Sequence, residues 1–348
     1  MITKSPSGRS RRRPGSGRGD RSAPPAQSRA LVTAPLRGEG LGRLEAMFDV
    51  VYDPWIEDGR VRLFSSAQLA DRARSEGAGV VIVEADEVGA EVFERPLIAV
   101  AATRSDPVNV DLASASAAGV PVLHCPGRNA DAVAELAVGL LFALTRKLLV
   151  ADADVRAGQI YRDGTIPYQR FRASEMAGRT AGLIGLGAVG RALRWRLEGL
   201  GMTVVAHDPH RDDAKLSLME VLESCDVVSV HAALTPGTAG MIGEDQFAAM
   251  RPGTVYLNTA RAELHDTRAL VDALRSGRLG GAAIDHFAGE DLAAGHPLAS
   301  LPNVVLTPHI GGATWDTERR QASMVADDLE VLRAGGVPAR LVNPEVLR

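Results

Sequence analysis

The feature that most constrains this chain is a glycine-rich stretch, GLIGLGAVGR, at residues 182–191. The pattern predicts an apolar strand, a tight turn and a helix. Gly185 and Gly187 permit turn conformations and let the backbone approach a pyrophosphate, whereas Gly190 lets the helix pack against the strand. The first N–H groups of such a helix favour an anion. The pattern therefore favours a dinucleotide-binding βαβ unit over a plain glycine turn.

An acidic residue at the expected distance supports this interpretation. Asp208 lies 18 residues after Gly190, at the end of a second apolar run, MTVVAHD. A carboxylate at this place can bond to an adenosine ribose and disfavours the 2′-phosphate of NADP. NAD is therefore expected as the cofactor in preference to NADP.

The rest of the chain from Leu31 alternates short apolar runs with helix-like stretches. This alternation predicts parallel sheets that helices cover on both faces. The predicted fold class is α/β, with two Rossmann-like doubly wound parallel-sheet domains. The last predicted helix, Asp316 to Ala334, has no evident place in the second sheet. We expect it to return to the first domain, which would make that domain discontinuous.

These patterns divide the chain into three parts. A substrate domain is expected over residues 31–126 plus 315–348, and an NAD-binding domain over residues 127–314. Residues 1–30 contain eight lysines and arginines and a single acid, Asp20, among many Gly, Ser and Pro. Such a composition predicts a disordered tail. We favour an inert tail over a nucleic-acid-binding arm and expect no nucleic-acid partner, because the chain as a whole carries a net charge of −4.

The composition is that of an ordinary soluble globular protein, with 45% hydrophobic and 24% charged residues. Cys125 and Cys225 are too few for a disulfide framework or a zinc site, which fits a reducing cytoplasm. The segment from Asp131 to Lys147 is predicted as one long helix, apolar nearly all round but interrupted by charges. It is expected to be sandwiched or to face a second subunit and not to span a membrane. We expect a cytoplasmic protein with neither a membrane partner nor a metal.

Three ionisable residues follow predicted strands of the second domain. Arg261 follows TVYLNTA, Glu290 follows GAAIDHF, which contains Asp285, and His309 follows VVLTP. Ligands gather at the carboxyl ends of such strands. Arg261 offers a planar fork for a carboxylate, His309 can exchange a proton near neutral pH, and Glu290 can favour the charged imidazole. Each alone has an ordinary structural explanation, but the set predicts hydride transfer on a 2-oxo or 2-hydroxy acid.

At this level of detail the sequence is identified as a member of the D-isomer-specific 2-hydroxyacid dehydrogenase family. That family includes phosphoglycerate dehydrogenases and glyoxylate/hydroxypyruvate reductases. The resemblance covers nearly everything after residue 30. The matching segments are GRNADAVAE, GLIGLGAVGR, HAALTPGTAGMI, MRPGTVYLNTAR, GAAIDHFAGE and LTPHIGG, in that order.

The resemblance implies roles for residues whose motifs are intact. Arg261 would anchor the substrate, His309 would exchange a proton with its carbonyl oxygen, and Glu290 would be the partner of His309. The resemblance also implies a homodimer built on the Asp131 helix, with catalysis in the cleft between the domains. The expected cofactor-binding residues are Gly185, Gly187, Ala188, Val189, Gly190, Asp208, Thr259, Ala260, Arg261, Asp285, His309, Ile310, Gly311 and Gly312.

The sequence departs from the family's pattern in four places. Ala262 follows Arg261 where the family usually has glycine, and Asp291 follows Glu290 where it usually has proline. The expected substrate loop reads Arg104, Ser105, Asp106, where the family often has glycines whose N–H groups hold the substrate carboxylate. Asp106 would be unfavourable there unless it points away or pairs with Arg104. His286 replaces a common valine. These departures leave the identity of the substrate open.

The sequence therefore predicts an NAD-dependent D-2-hydroxyacid dehydrogenase or 2-oxo acid reductase. Hydride would pass between C4 of the nicotinamide and C2 of a small 2-oxo or 2-hydroxy acid, with His309 as acid or base. The alternative is an NAD(H)-sensing, corepressor-like binding protein of the same fold with little turnover.

Overall fold

The computed structural model describes residues 29–56 and 61–348, which build two parallel β-sheets. The strands of the first sheet are β1 (Arg29–Val32), β2 (Asp49–Tyr52), β3 (Val80–Val83), β4 (Ala99–Ala102) and β5 (Val122–His124). Its helices are α1 (Glu39–Met47), α2 (Ser66–Glu76) and α3 (Leu112–Ala117). β3 and β4 are buried along their whole length, as expected for parallel strands that helices cover on both faces.

The second sheet carries the glycine-rich loop. Its strands are β6 (Thr180–Ile184), β7 (Thr203–His207), β8 (Val227–Val230), β9 (Thr254–Asn258), β10 (Leu279–Ile284) and β11 (Val304–Leu306). The accompanying helices are α4 (Ala130–Thr145), α5 (Leu148–Arg156), α6 (Pro167–Arg170), α7 (Ala188–Gly199), α8 (Leu218–Ser224), α9 (Glu244–Ala249) and α10 (Thr267–Arg275).

The order of the strands determines where a ligand can bind. The first sheet runs β2-β1-β3-β4-β5 and the second β11-β10-β9-β8-β6-β7, with parallel pairing throughout. In the second sheet the direction of winding reverses at β6, which lies between β7 and β8. A reversal of this kind opens a crevice outside the carboxyl ends of the strands. The predicted α/β class with two doubly wound parallel sheets is confirmed.

The final helix, α11 (Trp315–Arg333), returns to the first sheet. Its Val325 and Leu329 share an apolar core with Leu44 of α1 and with β1. Arg43 of α1 forms a further ion pair with Glu330, at 2.7 Å. The first domain is therefore discontinuous, as predicted, and α11 differs from the predicted helix by one residue at each end.

The start of the first domain corrects one prediction. Residues 1–28 of the predicted tail lie outside the described residues, but residues 29 and 30 belong to β1. Arg29 donates to the carboxylate of Asp49 at 2.7 Å, and Ala30 is fully buried. The ion pair of Arg29 and the burial of Ala30 depend on residues distant in sequence, so the composition of the basic segment alone could not predict them.

The predicted helix from Asp131 to Lys147 is confirmed as α4, which begins one residue earlier and ends two residues earlier than predicted. Lys147 adopts a left-handed conformation with φ of +54° and separates α4 from α5. The side chains of α4 pack against the second sheet and α7, so this helix is sandwiched. Among the described residues, no helix combines the length and apolar content needed to cross a membrane.

The packing of α1 on α11 leads to a test. A Cβ added at Gly40 would lie 2.3 Å from the backbone carbonyl carbon of Ala322, so Gly40→Ala forces the helices apart. Overpacking of this kind costs about 1–3 kcal/mol, more than the gain in helix propensity of about 1 kcal/mol. We expect a lower free energy of unfolding in urea.

Gly42→Ala is the matched control, because a Cβ at Gly42 of the same helix meets nothing within 4 Å. It should stabilise the protein by about 1 kcal/mol. If the two variants unfolded at the same urea concentration, the close approach of α1 and α11 would be contradicted.

Candidate active site

The glycine-rich loop joins β6 to α7 with the geometry that its sequence predicts. Gly185 has a φ of +95°, and a Cβ there would lie 2.7 Å from the backbone of His231 and Ala232 after β8. A Cβ at Gly190 would lie 2.2 Å from the carbonyl oxygen of Gly185. Both positions therefore require glycine, for a turn and for close packing of helix on strand.

The N-terminus of α7 fits a pyrophosphate. Gly187, the residue before the helix, supplies no side-chain cap to the first N–H groups. A Cβ at Gly187 would meet nothing within 4 Å, so the space in front of these donors is open. Ala188 and Val189 lie in this first turn. Unsatisfied N–H groups that face open space at a helix start form an anion site.

Asp208 lies at the end of β7 and holds the glycine-rich loop. Its carboxylate accepts hydrogen bonds from the backbone N–H groups of Leu186, at 2.8 Å, and His210, at 2.9 Å. The nearby Arg211 pairs with Asp213 at 3.0 Å. The guanidinium is thus engaged elsewhere, and the carboxylate of Asp208 suits ribose hydroxyls better than a phosphate.

The segment after β9 carries Arg261 on a fixed turn. The buried side chain of Asn258 accepts from the N–H of Ala260 at 2.9 Å and donates to the carbonyl of Arg261 at 2.8 Å. Arg261 itself is exposed. Thr259, between them, has a buried hydroxyl oxygen for which the described residues provide no hydrogen-bond partner. A bound group with a polar atom at this edge of the sheet would satisfy it.

Glu290 and His309 meet directly. The Nδ1 atom of His309 lies 2.8 Å and 2.9 Å from the two carboxylate oxygens of Glu290. Both residues have left-handed backbone conformations, with φ of +58° at Glu290 and +52° at His309. Such conformations are costly for residues other than glycine and persist only where neighbouring structure enforces them. Both side chains of the pair are exposed.

Asp285 enforces the conformation of the His309 turn. β10 ends at Ile284, so Asp285 lies just beyond the strand and not within it. Its fully buried carboxylate accepts from the Thr307 hydroxyl at 2.6 Å and from the N–H groups of Ile310 and Gly311 at 2.9 Å each. Its carbonyl accepts the His309 N–H at 2.8 Å. Gly312, next along the turn, packs against Asn129.

His286 is a residue that sequence reasoning did not place at the site. It is buried, and its ring centroid lies 3.6 Å from that of His309, with the rings tilted by 47°. Burial, with the positive charges of His309 and Arg261, lowers the pKa of His286 to about 3. The spacing of four residues between His286 and Glu290 could have indicated that His286 lies at the site. Its contact with His309 results from the pairing of β10 with β11.

The predicted substrate loop faces the same cleft from the first sheet. Arg104 follows β4, and burial together with the positive charge of Arg261 lowers the pKa of its guanidinium. Ser105 accepts a hydrogen bond from the N–H of Gly127 at 3.1 Å, in the segment that joins the sheets. Asp106 is exposed, and its charge acts on Arg104 without a direct ion pair among the described contacts.

Comparisons with known proteins agree with this arrangement. The family model for the NAD binding domain of D-isomer specific 2-hydroxyacid dehydrogenases matches residues 138–311. A glyoxylate reductase of Thermofilum pendens is 35% identical over 334 residues, which cover 93% of this chain and 96% of the relative.

Solved structures with a similar fold include proteins of the same kind. The TT0316 protein of Thermus thermophilus is similar with a TM-score of 0.78 and 37% identity, covering 90% of this chain and 99% of that chain. An NADPH-dependent glyoxylate/hydroxypyruvate reductase from Sinorhizobium meliloti, solved with NADP and malonate, has a TM-score of 0.71 and 28% identity. The match covers 92% of this chain and 98% of that chain.

The three hydrogen bonds of the Asp285 carboxylate can be tested by Asp285→Asn. The amide group of Asn cannot accept at both positions, so at least one buried N–H or hydroxyl loses its acceptor. We expect the free energy of unfolding in urea to fall by about 1–3 kcal/mol. Asp291→Asn is the control, because Asp291 is exposed and should change stability by less than about 0.5 kcal/mol. Equal unfolding midpoints for the two variants would contradict the positioning role of Asp285.

Proposed function

Because this chain belongs to the D-isomer specific 2-hydroxyacid dehydrogenase family, we propose that it reduces a small 2-oxo acid to the D-2-hydroxy acid with NADH. The observation that carries the proposal is the hydrogen bond of 2.8 Å between His309 and Glu290, formed beside Arg261 at the carboxyl edge of the second sheet. Glyoxylate and hydroxypyruvate are the first substrates to test, since they occur in the names of similar proteins.

The cofactor would lie along the carboxyl edge of the second sheet. The backbone of Ala188 and Val189 would bind the pyrophosphate, and Asp208 would accept hydrogen bonds from the adenosine ribose. The nicotinamide would lie beside Thr259, Ala260 and the turn that Asp285 holds, which contains Ile310, Gly311 and Gly312. When bound, the nicotinamide supplies the hydride that C2 of the substrate receives.

The side chains of the cleft would carry out the rest of the reaction. Arg261 binds the substrate carboxylate through its planar guanidinium. His309 donates a proton to the carbonyl oxygen, which becomes the hydroxyl as C2 receives the hydride. Glu290 holds the imidazole in orientation and stabilises its protonated form. Arg104 would add positive charge to the substrate site, and Asp106 is exposed.

The proposed positions of cofactor and substrate assign a role to each domain. We propose residues 127–314 as the NAD-binding domain. The substrate domain would comprise the described residues up to 126 together with residues 315–348. The electrostatic interaction between Arg104 and Arg261 supports a substrate carboxylate bound near both.

We also infer that the protein forms a homodimer. The buried face of α4 is occupied by its own domain, but α5 and the segment after it expose a series of large apolar residues. These are Leu148, Leu149, Val150, Val155, Ile160, Tyr161, Ile166 and Tyr168. A patch of this kind marks an interaction surface, and a second copy is the commonest occupant.

Sedimentation velocity tests the dimer. The full chain is expected at twice its monomer mass, and Leu149→Asp should shift it to the monomer. Val337→Asp, which changes a similarly exposed valine after α11, should leave the mass unchanged. A monomeric wild-type protein would contradict the inference.

The cofactor preference provides a prediction about charge. NADH should exceed NADPH in kcat/KM by at least about tenfold, because a 2′-phosphate would lie beside the Asp208 carboxylate. Asp213→Ala releases Arg211 from its ion pair and should raise kcat/KM for NADPH, whereas Asp212→Ala, its neighbour, should do so much less. A wild-type preference for NADPH would contradict the role given to Asp208.

The catalytic roles are tested with a panel of 2-oxo acids and NADH. His309→Ala should lower kcat by about 10²–10⁴, the usual value of a positioned general acid. Arg261→Lys keeps the charge but loses the fork and should mainly raise KM for the 2-oxo acid. His296→Asn is the control, because His296 is not among the residues proposed to bind the substrate or the cofactor. NADH binding without oxidation by any member of the panel would instead favour the corepressor-like alternative.

A further inference from the structure

His286, Glu290 and His309 form a cluster with an unusual set of donor atoms. One nitrogen of each imidazole and one oxygen of the carboxylate lie within 4.8 Å of one another. Among the residues that the structure describes, this is the one such group of histidine, cysteine or acidic side chains. His286 forms its buried base, and the other two side chains are exposed to the cleft.

This donor set matches the coordination chemistry of zinc. Two imidazoles and one carboxylate are a common set of protein ligands for Zn²⁺, with a fourth position left open. Metal–ligand distances of about 2.0–2.2 Å place neighbouring donors roughly 3.3 Å apart in a tetrahedral site. The Glu290 oxygen already lies 2.8 Å from Nδ1 of His309. A small movement of exposed side chains would therefore bring all three donors into range.

We propose that His286, Glu290 and His309 form a reversible binding site for a divalent transition-metal ion such as Zn²⁺, and that the bound ion inhibits the protein. The ion takes the lone pairs of the two imidazoles and one carboxylate oxygen. The proton in the hydrogen bond between Glu290 and His309 is released to water. The other ring nitrogen of His309 keeps its proton, but a metal-bound neutral imidazole holds that proton more tightly than an imidazolium does, so His309 becomes a much weaker general acid. Only the inhibitory part of this inference rests on the proposed function.

The surrounding charges indicate a site of moderate affinity. Arg261 lies near His286 and repels a cation, while Glu290 contributes one compensating negative charge. The turn at His309 is held by Asp285 without any ion. The ion is therefore not required for folding, and it should be removable by a chelator. Cys125 and Cys225 are both buried and do not compete as ligands.

Binding is tested on the full chain with Co²⁺ as a spectroscopic probe and Zn²⁺ in equilibrium dialysis. The wild type should bind about one equivalent, with visible Co²⁺ absorbance that Zn²⁺ displaces. His286→Val, which introduces the residue common in the family, and Glu290→Gln should each weaken binding by at least about tenfold. His296→Asn should bind as the wild type does.

Glu290 is exposed, so its variant remains informative even if His286→Val fails to fold. Wild-type binding no tighter than that of Glu290→Gln, or an equal loss in His296→Asn, would overturn the site.

Inhibition is measured separately, with each variant compared with its own rate in the absence of metal. Zn²⁺ should inhibit 2-oxo acid reduction by the wild type and His296→Asn, EDTA should reverse it, and His286→Val should resist it by at least about tenfold in concentration. Turnover that Zn²⁺ does not inhibit would overturn the inhibitory role and leave the proposed function intact. Co²⁺ binding without turnover on any 2-oxo acid would instead leave the metal site intact and contradict the proposed function.

Discussion

The buried carboxylate of Asp285 is the interaction on which the candidate active site depends. It accepts three hydrogen bonds from the turn after β11, and these bonds hold His309 in a left-handed conformation that a histidine rarely adopts alone. That conformation directs the imidazole toward Glu290. A carboxylate that is shielded from water needs hydrogen-bond donors on both of its oxygens, because an unpaired buried charge would be costly. The same turn therefore places His309 within hydrogen-bond distance of Glu290.

The second requirement is that the two sheets present their loops to the same cleft. Arg128, in the connecting segment, donates to Glu84 beyond β3 and to Gln321 of α11. The Arg128–Glu84 ion pair is mostly buried, so it fixes the connection more firmly than a surface pair would. The return of α11 closes the first domain from the other side. The charges of Arg104 and Arg261, which follow strands of different sheets, act on each other.

Much of this architecture could be predicted from the sequence, for a physical reason. Parallel strands covered on both faces are continuous apolar runs, and the glycine-rich loop has few other uses. The features that escaped prediction depend on contacts between distant residues. Arg29 joins β1 and pairs with Asp49, and His286 meets His309 because β10 pairs with β11. The hydrogen bonds of Asp285 and the ring contact of His286 therefore follow only from the folded chain, although the sequence already placed Asp285 among the cofactor-binding residues.

In the proposed reaction, hydride reaches C2 of a 2-oxo acid on one face while His309 protonates the oxygen. Transfer of label tests it most directly. Hydroxypyruvate is reduced with NADH that carries deuterium on one or the other face of C4, and the product is analysed by mass spectrometry and chiral separation. We expect D-glycerate with deuterium at C2 from one of the two labelled cofactors and not from the other. Unlabelled glycerate from both cofactors, or L-glycerate, would contradict it.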